Sequence, residues 1–433
     1  MKNKLSLRDF PSAQKRREFL ETELNIKLDN VGCFSFTEDQ AVGRNIENLI
    51  GATQIPLGIA GPLLIHSSVI LRESSTEGSL TNVRISNKSS TLRLRPEGLR
   101  DSSLVAQNDR TGKKYYLPLA TTEGALVASA SRGCKAINQS GGAEVLVEEV
   151  GVTRGPVFKV KGIREGIQIK QWIKDHFADL AKVAETTSHH LRLKKMGCRL
   201  VGRNLFARFY YDCQDAMGMN MATIATEQAV SLIEQGTEAR CISIAGNFDI
   251  DKKPGWLNFI SGRGKRVWAE SVLKKEIVKS VLKTTPEKIA EVVYRKCQIG
   301  SAMAGSLGFN AHFANVVAAV FAATGQDLAH VAEGSLGITT AEVLTNGDLY
   351  FSIYLPSLMC GTVGGGTHLP AQQEALSIMG VKGTGDSVKY AQILGSAILA
   401  VEVSLMASLA EGSLAKAHQK LGRGQKSKIK TQK

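Results

Sequence analysis

Three side chains of types that do acid–base or electrostatic chemistry stand in this sequence where such types are out of place, and a fourth stands alone. Glu123 is the one carboxylate in residues 117–137, LPLATTEGALVASASRGCKAI, where nearly every neighbour is small or apolar. Lys252 follows Asp251 and, with Lys253, precedes Pro254. A helix does not run easily through that proline, so both ammonium groups are expected on a turn. Asp327 closes Gly325-Gln326-Asp327 directly after an apolar, helix-like stretch, and His418 lies by itself in a basic tail. Carboxylate, ammonium and imidazole groups can between them move protons and stabilise developing negative charge. Each also has a plain structural reading: an acid favoured by a helix dipole, a solvated charge cluster, a solvated tail histidine.

The elements that would position these groups are legible in part. Thr121 and Thr122 stand where a cap is expected and residues 125–130 tolerate helix, so the pattern predicts a helix beginning at Glu123. Small side chains at Ala125, Ala128, Ser129 and Ala130 would allow close approach, and Arg132 and Lys135 carry charge to its far end. Residues 47–65, ENLIGATQIPLGIAGPLLI, are broken by Gly51, Pro56, Gly58, Gly61 and Pro62, which predicts tight turns rather than a long element. Residues 66–112 read as an exposed, hairpin-like excursion. Within 154–245 the segments PVFKV, GIQIKQWIKDHFADLAKVAETT, LRLKKMGCRLV, NLFARFYY, AMGMNMATIATEQAVSLIEQG and RCISIAG run β-α-β-β-α-β, the order of a ferredoxin-like unit.

Residues 246–265 read as a charged loop. Two Ala-, Gly- and Ser-rich helices follow in 286–325. A strand, LYFSIYLP, leads into the glycine-rich GTVGGGT at 361–367, and a helix is expected from about Pro370. The fold class is therefore α+β. It comprises an N-terminal helical segment (1–45), a large, mainly helical domain in two parts (46–153 and 246–411), the inserted ferredoxin-like small domain (154–245), and a basic tail (412–433).

Composition narrows the classes. With 433 residues, 43% hydrophobic and 22% charged, the chain has material for two or three cores. Its seven cysteines are scattered without a Cys-x-x-Cys pair, which favours a reducing, cytoplasmic setting and no zinc cage. The first 24 residues mix basic and acidic groups without an apolar run, unlike a signal or transit peptide. Residues 391–410 raise a membrane question, but Glu402 and Gly395 within them favour a buried helix, so no membrane anchor is expected. Seven of the net +14 charges follow Glu411, and that tail holds no Phe, Trp or Tyr to stack on bases, which argues against a nucleic-acid partner.

Taken together, ENLIG with IPLGIAGPL, TTEGALVAS with RGCKAI, DAMGMN, GNF followed by DKKP, GFNAH with GQD, and GTVGGGT resemble the catalytic portion of 3-hydroxy-3-methylglutaryl-CoA (HMG-CoA) reductase. The wording is closer to the class shared by archaea and eukaryotes than to the NADH-using bacterial class. The resemblance implies reduction of HMG-CoA to mevalonate and CoA by two hydrides, in the mevalonate route to isoprenoids, with NADPH expected ahead of NADH. A mevalonate-oxidising direction with NAD, or a non-catalytic acyl-CoA-binding homologue, stays open at this point.

The resemblance also implies roles. Lys252 would stabilise the thioester oxyanion and His418 would protonate departing CoA thiolate. Glu123 would give a proton to the aldehyde, its acidity weakened by Asp327, with Lys252 between the two carboxylates. Asp215, Ala216, Met217, Gly218, Met219, Asn220 and Met221 would contact the cofactor. Ser188 and His189 stand where animal members carry a basic contact to the cofactor phosphate, an arginine at the His189 position. Ser129, Arg132, Lys135 and residues 281–283, ending in Lys283, would line CoA. Arg154, Asp251, Lys253 and Lys296 would surround the HMG carboxylate. No metal is implied, and sites formed between subunits imply a homodimer or a larger homo-oligomer. Ala245 replaces a serine of the animal enzymes beside that carboxylate.

Overall fold

The computed structural model describes residues 10–24, 29, 32–42, 44–71 and 112–412. His418 and the remainder of the basic tail lie outside the described residues, as does most of the 66–112 excursion.

One strand joins the two halves of the molecule. β1 (Leu57–Leu71) pairs antiparallel with β2 (Lys113–Ala120) and parallel with β3 (Ala143–Arg154). From Glu144 to Gly151, β3 runs antiparallel to β8 (Arg263–Leu273), beyond which come β11 (Leu349–Leu358), β10 (Gly337–Val343) and β9 (Gly308–Phe309). Its last residues, Val152 to Arg154, leave β8 and pair with β6 (Asn204–Asp212) of a second set of strands. Gly151 sits at this switch with φ +105°, and a Cβ there would lie 2.8 Å from the Tyr211 carbonyl oxygen, so the crossing needs a residue without a side chain.

The second set contains β4 (Val157–Lys159), β5 (Arg192–Val201), β6 and β7 (Arg240–Ser243) in the order β7-β4-β6-β5, every neighbouring pair antiparallel. With helices at Ile163–Asp175, Phe177–Glu185 and Met219–Gly236 this is the ferredoxin-like arrangement expected from the sequence. Phe158, Ile169, Leu180, Phe209, Ala225 and Ile233 form its own apolar core.

The larger core surrounds the Ser387–Glu411 helix, which packs on β8, β3 and the Leu126–Ser140 helix. By length and apolarity that helix could cross a membrane, but 83% of its most apolar stretch is buried inside the protein. Glu402, the acid within it, is fully buried and fully used. It accepts hydrogen bonds from the backbone N–H groups of Ala311 and His312, the His312 ring and the Thr339 hydroxyl. The acid therefore anchors the segment leading into the Phe313–Thr324 helix.

Gly133 marks where the two helices touch: a Cβ there would lie 1.8 Å from the Ala400 carbonyl oxygen. Gly133→Ala must push the helices apart, and over-packing of this kind costs about 1–3 kcal/mol. Thermal melting should show an apparent Tm lower by at least about 2 °C. An unchanged melt would contradict this close crossing.

Three sequence expectations need correction. Residues 57–71 form one long strand instead of a string of turns, because a β-bulge between Ala60 and Leu63 absorbs Gly61 and Pro62. It also takes in His66 to Leu71, the start of the presumed excursion. The helix after Glu123 begins only at Leu126, since Ala125 is left-handed at φ +81° and breaks the helical path. Residues 246–265 are not all loop: Trp256–Ser261 is helical, and β8 begins at Arg263.

Candidate active site

Lys252 lies on a turn under backbone constraint. Asn247, Ile250 and Lys252 all have positive φ, a region that costs non-glycine residues energy and persists only where surroundings enforce it. The enforcement is visible. Thr153 donates its hydroxyl to the Asp249 carbonyl, Asn258 donates to the Ile250 carbonyl, and Glu333 accepts the Lys252 N–H at 2.9 Å. Arg263, fully buried, reaches the Asp251 carboxylate at 3.0 Å. Arg154 pairs with Asp249 at 3.2 Å and lies 3.9 Å from Asp251.

Asp327 is delivered from the other side. Gly325, left-handed at φ +73°, ends the Phe313–Thr324 helix where a Cβ would lie 2.3 Å from the Gly366 carbonyl oxygen. The next side chain, Gln326, clasps Gly361 through both its N–H and its carbonyl. The glycine-rich 361–367 segment thus fixes where Asp327 begins. The Asp327 carboxylate accepts the Ala329 N–H and meets the Lys252 ammonium at 2.8 Å.

Electrostatics hold this pair charged. Partial burial works against the Asp327 carboxylate, but the Lys252 hydrogen bond, the Ala329 N–H and the neighbouring His330 outweigh it and keep its pKa below the ordinary value. The hydrogen bond to Asp327 likewise raises Lys252, against partial desolvation, with Asp327, Asp251 and Glu333 adding negative charge. An ammonium that stays protonated through neutral pH, on a rigid turn and still partly open to solvent, suits an oxyanion.

Glu123 does not join this pair within one chain. Its N–H is held by the Thr121 hydroxyl, and its exposed carboxylate accepts a hydrogen bond from Asn315 at 2.8 Å. Asn315 is in the first turn of the Phe313–Thr324 helix, and Asp327 lies beyond its last. From Asn315 to Thr324 the helix axis advances about 14 Å. The expected network of Glu123, Lys252 and Asp327 is therefore split between the two ends of one helix.

Asp215 has structural partners of its own. Its carboxylate accepts the N–H groups of Gly385 and Ser387, which overcome partial burial and hold its pKa low. Its carbonyl takes the Thr362 N–H, Ala216 bridges to Val363, and a Cβ on Gly361 would lie 2.3 Å from the Met217 nitrogen. Asp215 staples the DAMGMN loop to the glycine-rich segment and to the start of the Ser387–Glu411 helix.

Beside it, the Met219–Gly236 helix opens at Gly218 (φ +87°) with no side-chain cap. The N–H groups of Met219, Asn220 and Met221 therefore have no partner inside the helix and suit an anion. Gly364 and Gly365 leave open space alongside. His190 ties the Ser188–His189 turn to Gln214, just ahead of Asp215, and His189 is exposed. These donors fit a nucleotide phosphate.

The residues expected around CoA divide. Ser129 and Arg132 face the Ser387–Glu411 helix: Ser129 bonds Ser404, and Arg132 bonds Ser404 and Ser408, its guanidinium pKa lowered by burial. Lys135, Lys283 and Lys296 are exposed. Lys253 is exposed as well and turns back onto the Asp251 carbonyl. All seven cysteines are free, and burial pushes the Cys134, Cys213 and Cys297 thiols up to about 12.

Two residues that sequence reading missed stand behind the turn, His330 and Glu333, both fully buried. Their spacing from each other, three apart, was visible, but their contacts lie some eighty positions away, at Lys252 and Asp251. Asp251, His330 and Glu333 have the clustering of a metal site, yet the Arg263 guanidinium already pairs with both carboxylates, as a cation would.

The fold is α+β with a ferredoxin-like unit, and its candidate site presents an ammonium on a constrained turn, paired with an aspartate, that is able to stabilise negative charge on an oxygen. The chain matches the family model for hydroxymethylglutaryl-coenzyme A reductase over residues 12–86 and 91–423. It is 45% identical over 415 residues to the 3-hydroxy-3-methylglutaryl-coenzyme A reductase of Pyrococcus abyssi, covering 94% of this chain and 92% of that one. To reductase 1 of Hevea brasiliensis it is 37% identical over 422 residues, covering 95% and 66%. The fold is shared with the class II reductase of Streptococcus pneumoniae, solved with NADPH in open conformations, at TM-score 0.64 and 16% identity over 92% of this chain and 97% of that one. This chain belongs to the HMG-CoA reductase family.

Proposed function

We propose that the protein reduces HMG-CoA to mevalonate and free CoA, using two NADPH. The observation that carries this reading beyond family membership is the Lys252–Asp327 pair at 2.8 Å on its constrained turn. When bound, the reduced nicotinamide supplies hydride in each of the two steps. Lys252 directs its ammonium at the thioester oxygen and stabilises the alkoxide that forms there. Asp327 fixes that ammonium in place. Glu123, held by Asn315, donates the proton that the aldehyde oxygen takes up in the second reduction. His418 is assigned the proton for departing CoA thiolate. Arg154, Asp251, Lys253 and Lys296 are assigned to the HMG carboxylate, and Ser129, Arg132, Lys135 and Lys283 to CoA.

Because Glu123 and Lys252 sit at opposite ends of one helix, the reading places Glu123 of one protomer against Lys252 and Asp327 of another. Exposed apolar side chains flank both halves: Leu57, Ile59 and Tyr116 on the strands leading to Glu123, Trp256 and Ile260 just past the lysine turn. A homodimer would cover both. The free cysteines support a reducing, cytoplasmic setting.

The uncapped start at Gly218, with Met219, Asn220 and Met221, is assigned to the cofactor phosphates, and Ser188 and His189 to the 2′-phosphate. A hydroxyl and an imidazole hold a phosphate more weakly than a guanidinium fork does. The test is HMG-CoA-dependent oxidation of NADPH against NADH by wild type and His189→Arg. The expected result is a wild-type preference for NADPH that His189→Arg widens. No oxidation with either cofactor would overturn the function, and a preference for NADH would overturn the choice of cofactor.

A further inference from the structure

Behind Lys252 and Asp327 lies a buried arrangement that the steps above do not use. Glu333, with no exposed surface, accepts three donors: the Lys252 N–H at 2.9 Å, the Arg263 guanidinium, and the His330 Nδ1–H at 2.6 Å. It is thus a side chain that grips the backbone of the lysine at its left-handed position. His330, equally buried, spends Nδ1 on Glu333 and leaves Nε2 with no hydrogen-bond partner.

That nitrogen lies 3.7 Å from Asp327 Oδ2 and 3.9 Å from Asp251 Oδ1. A lone pair there would face two carboxylates and be repelled, whereas an N–H is attracted to both. The charged groups around the ring are Glu333 on its own helical turn, Asp327 just before that turn, Asp251 and Lys252 on the lysine turn, and Arg263 on β8.

We propose that Glu333 and His330 are positioning residues for the reduction: Glu333 fixes the Lys252 backbone, and His330, as an imidazolium, holds the Asp327 carboxylate toward the Lys252 ammonium from behind. This rests on the assignment of Lys252 and Asp327 to the reaction. Loss of the His330 charge removes an attraction that keeps Asp327 ionised, so Asp327 then takes up a proton at higher pH.

The experiment is steady-state kinetics of HMG-CoA reduction across pH for wild type, His330→Ala, His330→Gln, Glu333→Gln and the double His330→Gln/Glu333→Gln variant, with a thermal melt of each. His330→Ala should lower kcat by about 10–100-fold with KM for HMG-CoA within about threefold, the pattern of a group acting only on the reacting state. His330→Gln keeps much of the side chain's volume and polarity and should lower kcat less than His330→Ala does. It lacks the charge, so its acid limb of kcat should still move to higher pH. Glu333→Gln keeps an oxygen for the Lys252 N–H but removes the anion opposite the imidazolium, and should move the same limb the same way. The double variant should move it no further than either single change, because the two act as one unit.

A wild-type kcat and pH profile in the His330 variants, a loss confined to KM, or additive limb shifts would overturn the proposal. Should His330→Ala fail to fold, the limb in His330→Gln decides alone. A wild type unable to reduce HMG-CoA would instead overturn the function on which the proposal rests.

Discussion

Lys252→Ala is expected to lower kcat for HMG-CoA reduction by on the order of a hundredfold or more, with KM for HMG-CoA changed only a few-fold. The ammonium is held by Asp327 at 2.8 Å and its backbone by Glu333 at 2.9 Å, so little reorganisation remains when charge develops on the substrate oxygen. A preset charge of this kind acts on the transition state far more than on the uncharged thioester. Alanine at this position also leaves Asp327 without its cation, placing a negative charge beside the developing oxyanion. Lys252→Arg, which keeps charge but not the compact point donor, should recover only part of the loss. Turnover within threefold of wild type in Lys252→Ala would remove the residue from the chemistry.

The parts of this molecule that the sequence disclosed were those with local periodicity or distinctive local wording. The ferredoxin-like unit was readable because its strands alternate and its helices repeat within short windows, as in NLFARFYY and GIQIKQWIKDHFADLAKVAETT. The long helix around Glu402 was recognised as buried, but what satisfies that acid was not: its partners are Ala311, His312 and Thr339, more than sixty positions away. β1 is hidden in the sequence because Gly61 and Pro62 look like punctuation, and only the register against β2 shows that a bulge absorbs them. Helix propensity favours a helix from Glu123 because Ala125 is a good helix former, and the left-handed backbone of Ala125 is a tertiary effect that propensity does not see.

From the residues alone the site is legible as types and not as an arrangement; that Lys252 lies beside Asp327 is implied only by the family resemblance. Lys252 on a turn followed from Pro254, but its ion pair with Asp327 joins segments seventy-five positions apart. Asp215 stands in DAMGMN, and its hydrogen bonds to Gly385 and Ser387, some 170 positions away, carry no local signal. His330 and Glu333 carried no local signal of their own. Nothing in local sequence says that Asn315 and Asp327 close opposite ends of the same helix, and that fact separates Glu123 from Lys252.

The central claim is that catalysis joins Glu123 of one protomer to Lys252 and Asp327 of another, and complementation between two disabled chains tests it most directly. Glu123→Gln and Lys252→Ala should each be nearly inactive as homodimers. A mixed dimer then carries one site with both lesions and one site with none. Equal amounts co-expressed and randomly paired give half mixed dimers, each with one working site, so turnover should rise to about a quarter of wild type. If Glu123 and Lys252 served the same site from within one chain, every site in every dimer would keep a lesion. Activity in the mixture near a quarter of wild type is the result the shared site predicts; activity no greater than the average of the two parents would contradict it.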